Sequence, residues 1–163
     1  MLFLVFEVDG NRFALAASGI VQVLPAVRVS EVPGAPPGVA GVAVYAGSTV
    51  PVVDLTQLLA GRPSASHLDT RMIVVGYTDR RGDERLLALL AEHATATIRR
   101  DPGDFLDSGV SPGAEKYLGP VATDDRGVVQ LVDVPGLLPA AVADALFTEP
   151  AGTSWASSTS SNS

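Results

Sequence analysis

The chain has 163 residues, of which 47% are hydrophobic and only 18% charged, with a net charge of −7 and a mean hydropathy of +0.30. That acidic balance excludes a basic face for neutralising nucleic-acid phosphates or an anionic membrane, and the absence of cysteine excludes disulfides and thiolate metal sites. The length suits one compact domain or two small, closely packed subdomains, and no apolar run approaches the roughly 20 residues of a membrane span.

The opening "MLFLVF" has no basic flank or small-residue cleavage site, and Glu7 follows at once, so it reads as a strand and not as a leader. A cytoplasmic location is expected. "FLVFEV" (3–8), the turn "DGN" and "RFALAA" (12–17) predict a β-hairpin, because Asp-Gly supplies the positive φ of a tight turn. "IVQVL" (20–24) and "VRVSEV" (27–32) alternate as strands, and "PGAPPG" (33–38) is a turn. "VAGVAVYAG" (39–47) and "STVPVVD" (48–54) form a strand pair turning at Gly47, followed by the short helix "LTQLLAG".

The second half repeats this order. "RMIVVGY" (71–77), the turn "TDRRGDE" and "RLLALLA" (85–91) form a hairpin, "TATIRR" (95–100) a strand, and 101–115 a polar connection. "KYLGPVAT" (116–123), "DDRG" and "VVQLVD" (128–133) close the set before a second helical stretch, "VPGLLPAAVADAL". Asp54 and Asp133 lie 79 residues apart in matching frames, and Gly41 and Gly119 lie 78 apart. Short strands at roughly 8–12 residue spacing point to an all-β sandwich or barrel built as two similar subdomains. From residue 148 the Ser/Thr-rich tail, which holds Trp155, lacks the apolar residues to order itself and is expected to be disordered.

Each paired aspartate ends a strand and precedes a helical turn, so both are expected to cap helices and to be buried in appearance only. Asp54 with Gln57 fits a capping box, and Asp133 precedes Pro135 at a helix start, where a missing N–H does no harm. Two carboxylates in pseudo-twofold frames also suit an aspartic protease, whose loops need Asp-Ser/Thr-Gly. Neither Asp54-Leu55-Thr56 nor Asp133-Val134-Pro135 fits, and the lone "DSG" at 107–109 sits in a loop. His67 and His93 are 26 residues apart without ligand-spaced partners, so no metal site is expected. Nucleophile-elbow and phosphate-binding motifs are missing as well. The sequence predicts a protein that is not an enzyme and takes no cofactor.

The ordered features resemble the CheW-like family of chemotaxis coupling proteins over about residues 2–146. The first half, through "VLPAVRVSEVPGAPPGVAGVAVYAGSTVPVVDLTQLL", is similar to the family's V-x-E-V-L stretch, Pro-rich turn and G-V-x-N-x-R-G-x-x-V-P-V-x-D-L. "RLLALLAEHAT" and "EKYLGPVATDDRGVVQLVDVPGLL" fall where the second half's signatures belong. The resemblance implies two intertwined five-stranded SH3-like β-barrels with short helices across 1–147, expected to divide as 15–65 and 1–14 plus 66–147 with strands exchanged. It also implies a non-catalytic adaptor that joins a methyl-accepting chemoreceptor tip to the regulatory domain of a CheA-type histidine kinase.

Carried over by motif position, the partner-binding candidates are Gln22, Val23, Gly41, Tyr45 and Ala46, with Leu87 and Leu89 in the second half. Tyr45 is expected on the face opposite Val44 and Ala46, as an exposed aromatic anchor. Gln22 stands for the family's Glu, Val44 for its Asn and Ala46 for its Arg; Ala88 replaces Gly and Glu92 replaces Asp. Loss of the acid and base together suggests an ion pair exchanged for an apolar contact. The alternative reading is a divergent module serving pilus motility or a surface response, or one that no longer couples a receptor.

Overall fold

The computed structural model describes residues 1–26, 28–107 and 118–147. Residues 116 and 117 of the predicted strand 116–123, Ser108 and Gly109 of the "DSG" and the tail with Trp155 lie outside them.

Ten strands form two five-stranded sheets. The strands are β1 (Leu2–Val8), β2 (Asn11–Ala16), β3 (Ile20–Pro25), β4 (Val39–Tyr45), β5 (Ser48–Asp54), β6 (Arg71–Thr78), β7 (Glu84–Ala91), β8 (Ala96–Arg99), β9 (Leu118–Asp124) and β10 (Gly127–Val132). Helix α1 (Leu55–Ala60) follows β5, and α2 (Ala140–Leu146) follows β10 after a 3-10 turn at Val134–Gly136. In the first sheet the order is β8-β1-β2-β10-β9; in the second it is β3-β6-β7-β5-β4.

The two orders are one pattern used twice. In each, a hairpin (β1–β2 or β6–β7) is flanked by a single strand on one side and a strand pair on the other. The pair joins the hairpin through a parallel ladder, β2 to β10 and β5 to β7. Even the irregular bridges correspond: Ser30 pairs with Val42 and Leu106 with Val121. The hairpins are exchanged between halves, since β1–β2 pairs with strands of the second half and β6–β7 with strands of the first.

The division of the chain therefore differs from the expected one. The second barrel is the continuous stretch 20–91, and the first combines 2–16 with 96–132. The expected split left 71–91 in the wrong barrel. Met72, Val74 and Ala88 instead pack with Ala43, Val50 and Val52 inside the second barrel, where their small inward faces fit. "VRVSEV" is not a strand either. Among its described residues only Ser30 makes a bridge: its N–H donates to Val42 O and its carbonyl oxygen accepts from the Val42 N–H before the chain turns away.

The long apolar runs of the hairpins are buried on both faces. On β1, Phe3 points into the first barrel with Phe105 and Val129, while Leu4, Phe6 and Val8 point the other way. On β7, Ala88 faces the second barrel, while Leu87 and Leu89 join Phe6, Phe13, Leu15, Ile73, Val75 and Leu137 in the cluster between the barrels. The largest core thus lies between the barrels, contributed by both hairpins. Continuous Val/Leu/Phe runs are what a strand covered on both faces requires.

Both β1–β2 and β4–β5 turn on two residues of positive φ, Asp9-Gly10 and Ala46-Gly47. That is the primed turn geometry matching the twist of a hairpin. At the bulge between Val39 and Gly41, Gly41 adopts φ 146, and any Cβ there would run into the Ser30 carbonyl.

Candidate partner-binding surface

Strands β3 and β4 are the two ends of the second sheet, yet Tyr45 Oη donates to Gln22 Oε1 at 2.7 Å. The sheet therefore curls into an open barrel whose free edges meet side chain to side chain. Around that contact the surface is apolar: Val21 is 54% exposed, Val23 40% and Val44 74%. Ala46 and Gly47 form the exposed tip of the neighbouring turn. Two open edges with valines facing water are a surface that a second β-structure can cover.

Gln22, Val23, Tyr45 and Ala46 are brought together here, though not quite as alternation predicts. Ala46 lies in the turn at φ 49 and not on the strand face. Tyr45 is half-buried against the inner cluster of the barrel, with its hydroxyl at the rim. Val44 is the outward residue of β4. Gln22 and Tyr45 form a neutral hydrogen bond one residue from Ala46, at the place where the family carries an acid and a base. Gly41, Leu87 and Leu89 do not belong to the surface. Leu87 and Leu89 have no exposed area, and Gly41 is buried beneath the Ser30 carbonyl. The two leucine positions are structural because β7 is covered on both faces, and the Gly41 position because a Cβ would meet the Ser30 carbonyl.

The exposed valines Val21 and Val44 were missed, although the V-x-V alternation around Gln22 was the available signal. An apolar groove also runs beside the Pro-rich turn, lined by Val32, Pro36, Val39, Val42, Pro51 and Leu146. It joins α2 to the outer side of β4.

The paired aspartates differ. Asp54 is only 4% exposed, a real burial and not an apparent one. Its Oδ1 accepts from the Thr56 and Gln57 N–H groups and, at 2.6 Å, from the Ser64 hydroxyl; its Oδ2 accepts from the Ser64 N–H. The Asp54 N–H donates to Gly38 O, so no reciprocal bond to Gln57 closes a capping box. Asp133 is exposed, and its side chain makes no cap bond. The helix after it has only one 3-10 turn before Pro139, and Pro135 removes an N–H that a cap would satisfy. The expectation of a second cap is therefore corrected.

Two charged networks, one tying the barrels together and one within the first barrel, were not legible in the sequence. Arg62, after α1, donates to Asp9 of the β1–β2 turn and to both oxygens of Glu92 at the end of β7. The Ala65 N–H adds a third bond to Glu92, whose carboxyl is held below its ordinary range mainly by Arg62. In the first barrel Arg12 makes a bidentate pair with Asp124 at 2.7 and 2.8 Å. That pair holds the Asp124 carboxyl at about 2 against an ordinary 3.8.

A depressed folded-state pKa stabilises above the unfolded value and stops doing so as pH falls through the folded one. Wild type should thus exceed Asp124→Asn in urea midpoint above pH 3.8, and the gap should close as pH falls to about 2. Paired urea titrations across that window check it.

A CheW-like domain model matches residues 2–142. The crystal structure of the scaffolding protein TtCheW from Thermoanaerobacter tengcongensis aligns with a TM-score of 0.71 at 18% identity, covering 95% of this chain and 92% of that one. No curated protein matches the sequence. The exchanged hairpins, the two open SH3-like barrels and the match over residues 2–142 agree: the chain belongs to the CheW-like domain family.

Proposed function

We propose that the protein is a non-catalytic, cytoplasmic adaptor of chemosensory signalling that couples a chemoreceptor tip to a CheA-type histidine kinase. The observation that carries this reading is the open edge of the second barrel, where Val21, Val23, Val44 and the rim of Tyr45 are presented together. An SH3-like barrel in the kinase's regulatory domain is the partner for that edge. Its strands offer the same twist and an apolar surface, and burying a few valines supports a weak, reversible contact.

The groove beside the Pro-rich turn suits an apolar helix face, as a receptor tip would present. A scaffold role is supported further by the use of Asp54, whose oxygens are occupied by backbone and hydroxyl donors instead of being free for acid–base work. No helix among the described residues is long and apolar enough to cross a membrane. With Gln22 and Ala46 in place of an ion pair, recognition at this edge rests on apolar fit, so its on-rate should depend little on salt.

The test is a pull-down from lysate of the source cells with the native chain, Tyr45→Ala and Ala46→Arg. Native bait should recover a CheA-type kinase or a chemoreceptor, and both variants should recover less. Recovery of neither by the native chain would contradict the reading.

A further inference from the structure

The two histidines, far apart in sequence, meet in the fold. His67 comes from the loop between α1 and β6, and His93 from the turn after β7. Their rings stack with centroids 5.6 Å apart, and one ligand atom from each of His67, His93 and Glu92 lies within 4.8 Å of the others. From these contacts we propose that His67, Glu92 and His93 form a binding site for a zinc-class divalent cation, which pins the α1–β6 loop to the β7–β8 turn.

Four features support the assignment. First, His93 Nδ1 lies 2.5 Å from Asp69 Oδ2. An ionised carboxylate only accepts, so Nδ1 carries the proton, and in the neutral ring Nε2 keeps its lone pair for a metal. A histidine held through its other nitrogen by a carboxylate is the usual outer support of a metal ligand.

Second, two imidazoles on one tetrahedral zinc, with Zn–N near 2.1 Å, have ring centres about 5 Å apart. The observed separation is close to this. Ligand atoms on one zinc lie about 3.4 Å apart, so the two exposed rings need only small rotations to close on an ion.

Third, the Glu92 carboxylate is fixed and charged, not mobile. Among the described residues Oε1 accepts only from Arg62, which leaves it a lone pair, whereas Oε2 accepts from Arg62 and Ala65. Two imidazole nitrogens and one carboxylate oxygen are a zinc-type donor set that leaves a fourth position for water, and are poorly suited to magnesium or calcium.

Fourth, the local field is negative. Glu7, Asp69 and Glu92 act on the His93 ring, against Arg62 bonded to Glu92 and Arg126 beside Glu7. Asp69 Oδ1 is buried and has no hydrogen-bond partner among the described residues. His93 also sits at φ 53, a left-handed conformation uncommon for a residue other than glycine, and one that points to a constrained role.

The experiment is calorimetric titration of the tag-free, chelator-treated full chain with zinc chloride, alongside cobalt absorption spectra. The variants are His67→Ala, His93→Asn (which tolerates the left-handed backbone) and Asp69→Asn. Expected are one zinc per chain, tetrahedral cobalt bands and a metal-dependent rise in Tm. Both histidine variants should bind at least tenfold more weakly while keeping the metal-free Tm, and Asp69→Asn roughly tenfold more weakly. Absence of zinc binding, or binding unchanged in both histidine variants, would overturn the proposal.

Discussion

Replacing Asp54 with alanine is expected to cost about 3 kcal/mol. A helix cap alone is worth about 1 kcal/mol. Here the same carboxylate also holds the N–H and hydroxyl of Ser64, and the Thr56 N–H it serves is buried. Leaving buried donors unpaired costs a further 1–3 kcal/mol or so. For a chain of this size that should lower Tm by roughly 10 °C. Asp133→Ala is the matched control, since Asp133 is exposed and caps nothing. It should change stability by less than about 0.5 kcal/mol. Thermal melts of the two variants side by side check both values, and equal losses would mean that the repeats are supported alike.

Phe6→Ala should cost more, about 4 kcal/mol, as expected for a large buried ring whose cavity cannot collapse. Phe6 has no exposed area, stacks on Phe13 at 5.6 Å and lies in the cluster shared by both hairpins. Because each hairpin is bound into the barrel built mainly from the other half, the loss should spread. Amide exchange should quicken in β6 and β7 as well as in β1 and β2, within one unfolding transition. Faster exchange confined to the first barrel would show that the two barrels unfold separately.

Local chemistry was legible where it sufficed. Asp9-Gly10 and Gly47 marked their hairpins, because glycine accepts positive φ at no steric cost. The twofold repeat was legible from Asp54 and Asp133, since matching frames put both at strand ends. Which copy pairs with which was not. A repeat folds equally well in its own half or exchanged, and the parallel β2–β10 and β5–β7 ladders that decide it leave no mark in either strand. The same blindness misplaced Leu87 and Leu89, whose motif positions say nothing about a second covered face. It also hid the meeting of His67 with His93, which depends on how the α1–β6 loop returns to the end of β7. At the candidate surface the motif positions Gln22 and Tyr45 meet in the fold. Alternation then missed that Ala46 had left the strand, which makes Val44 the outward side chain.

The adaptor reading depends most on that edge, and Val44 is its best probe because it is 74% exposed and carries no core packing. The direct measurement is a calorimetric titration of the purified chain with the regulatory domain of a CheA-type kinase from the same cells, repeated with Val44→Glu. Saturable one-to-one binding by the native chain, weakened at least tenfold by Val44→Glu at unchanged Tm, is the expected result. No binding by the native chain, or equal binding by the variant, would contradict the placement of the kinase at this edge.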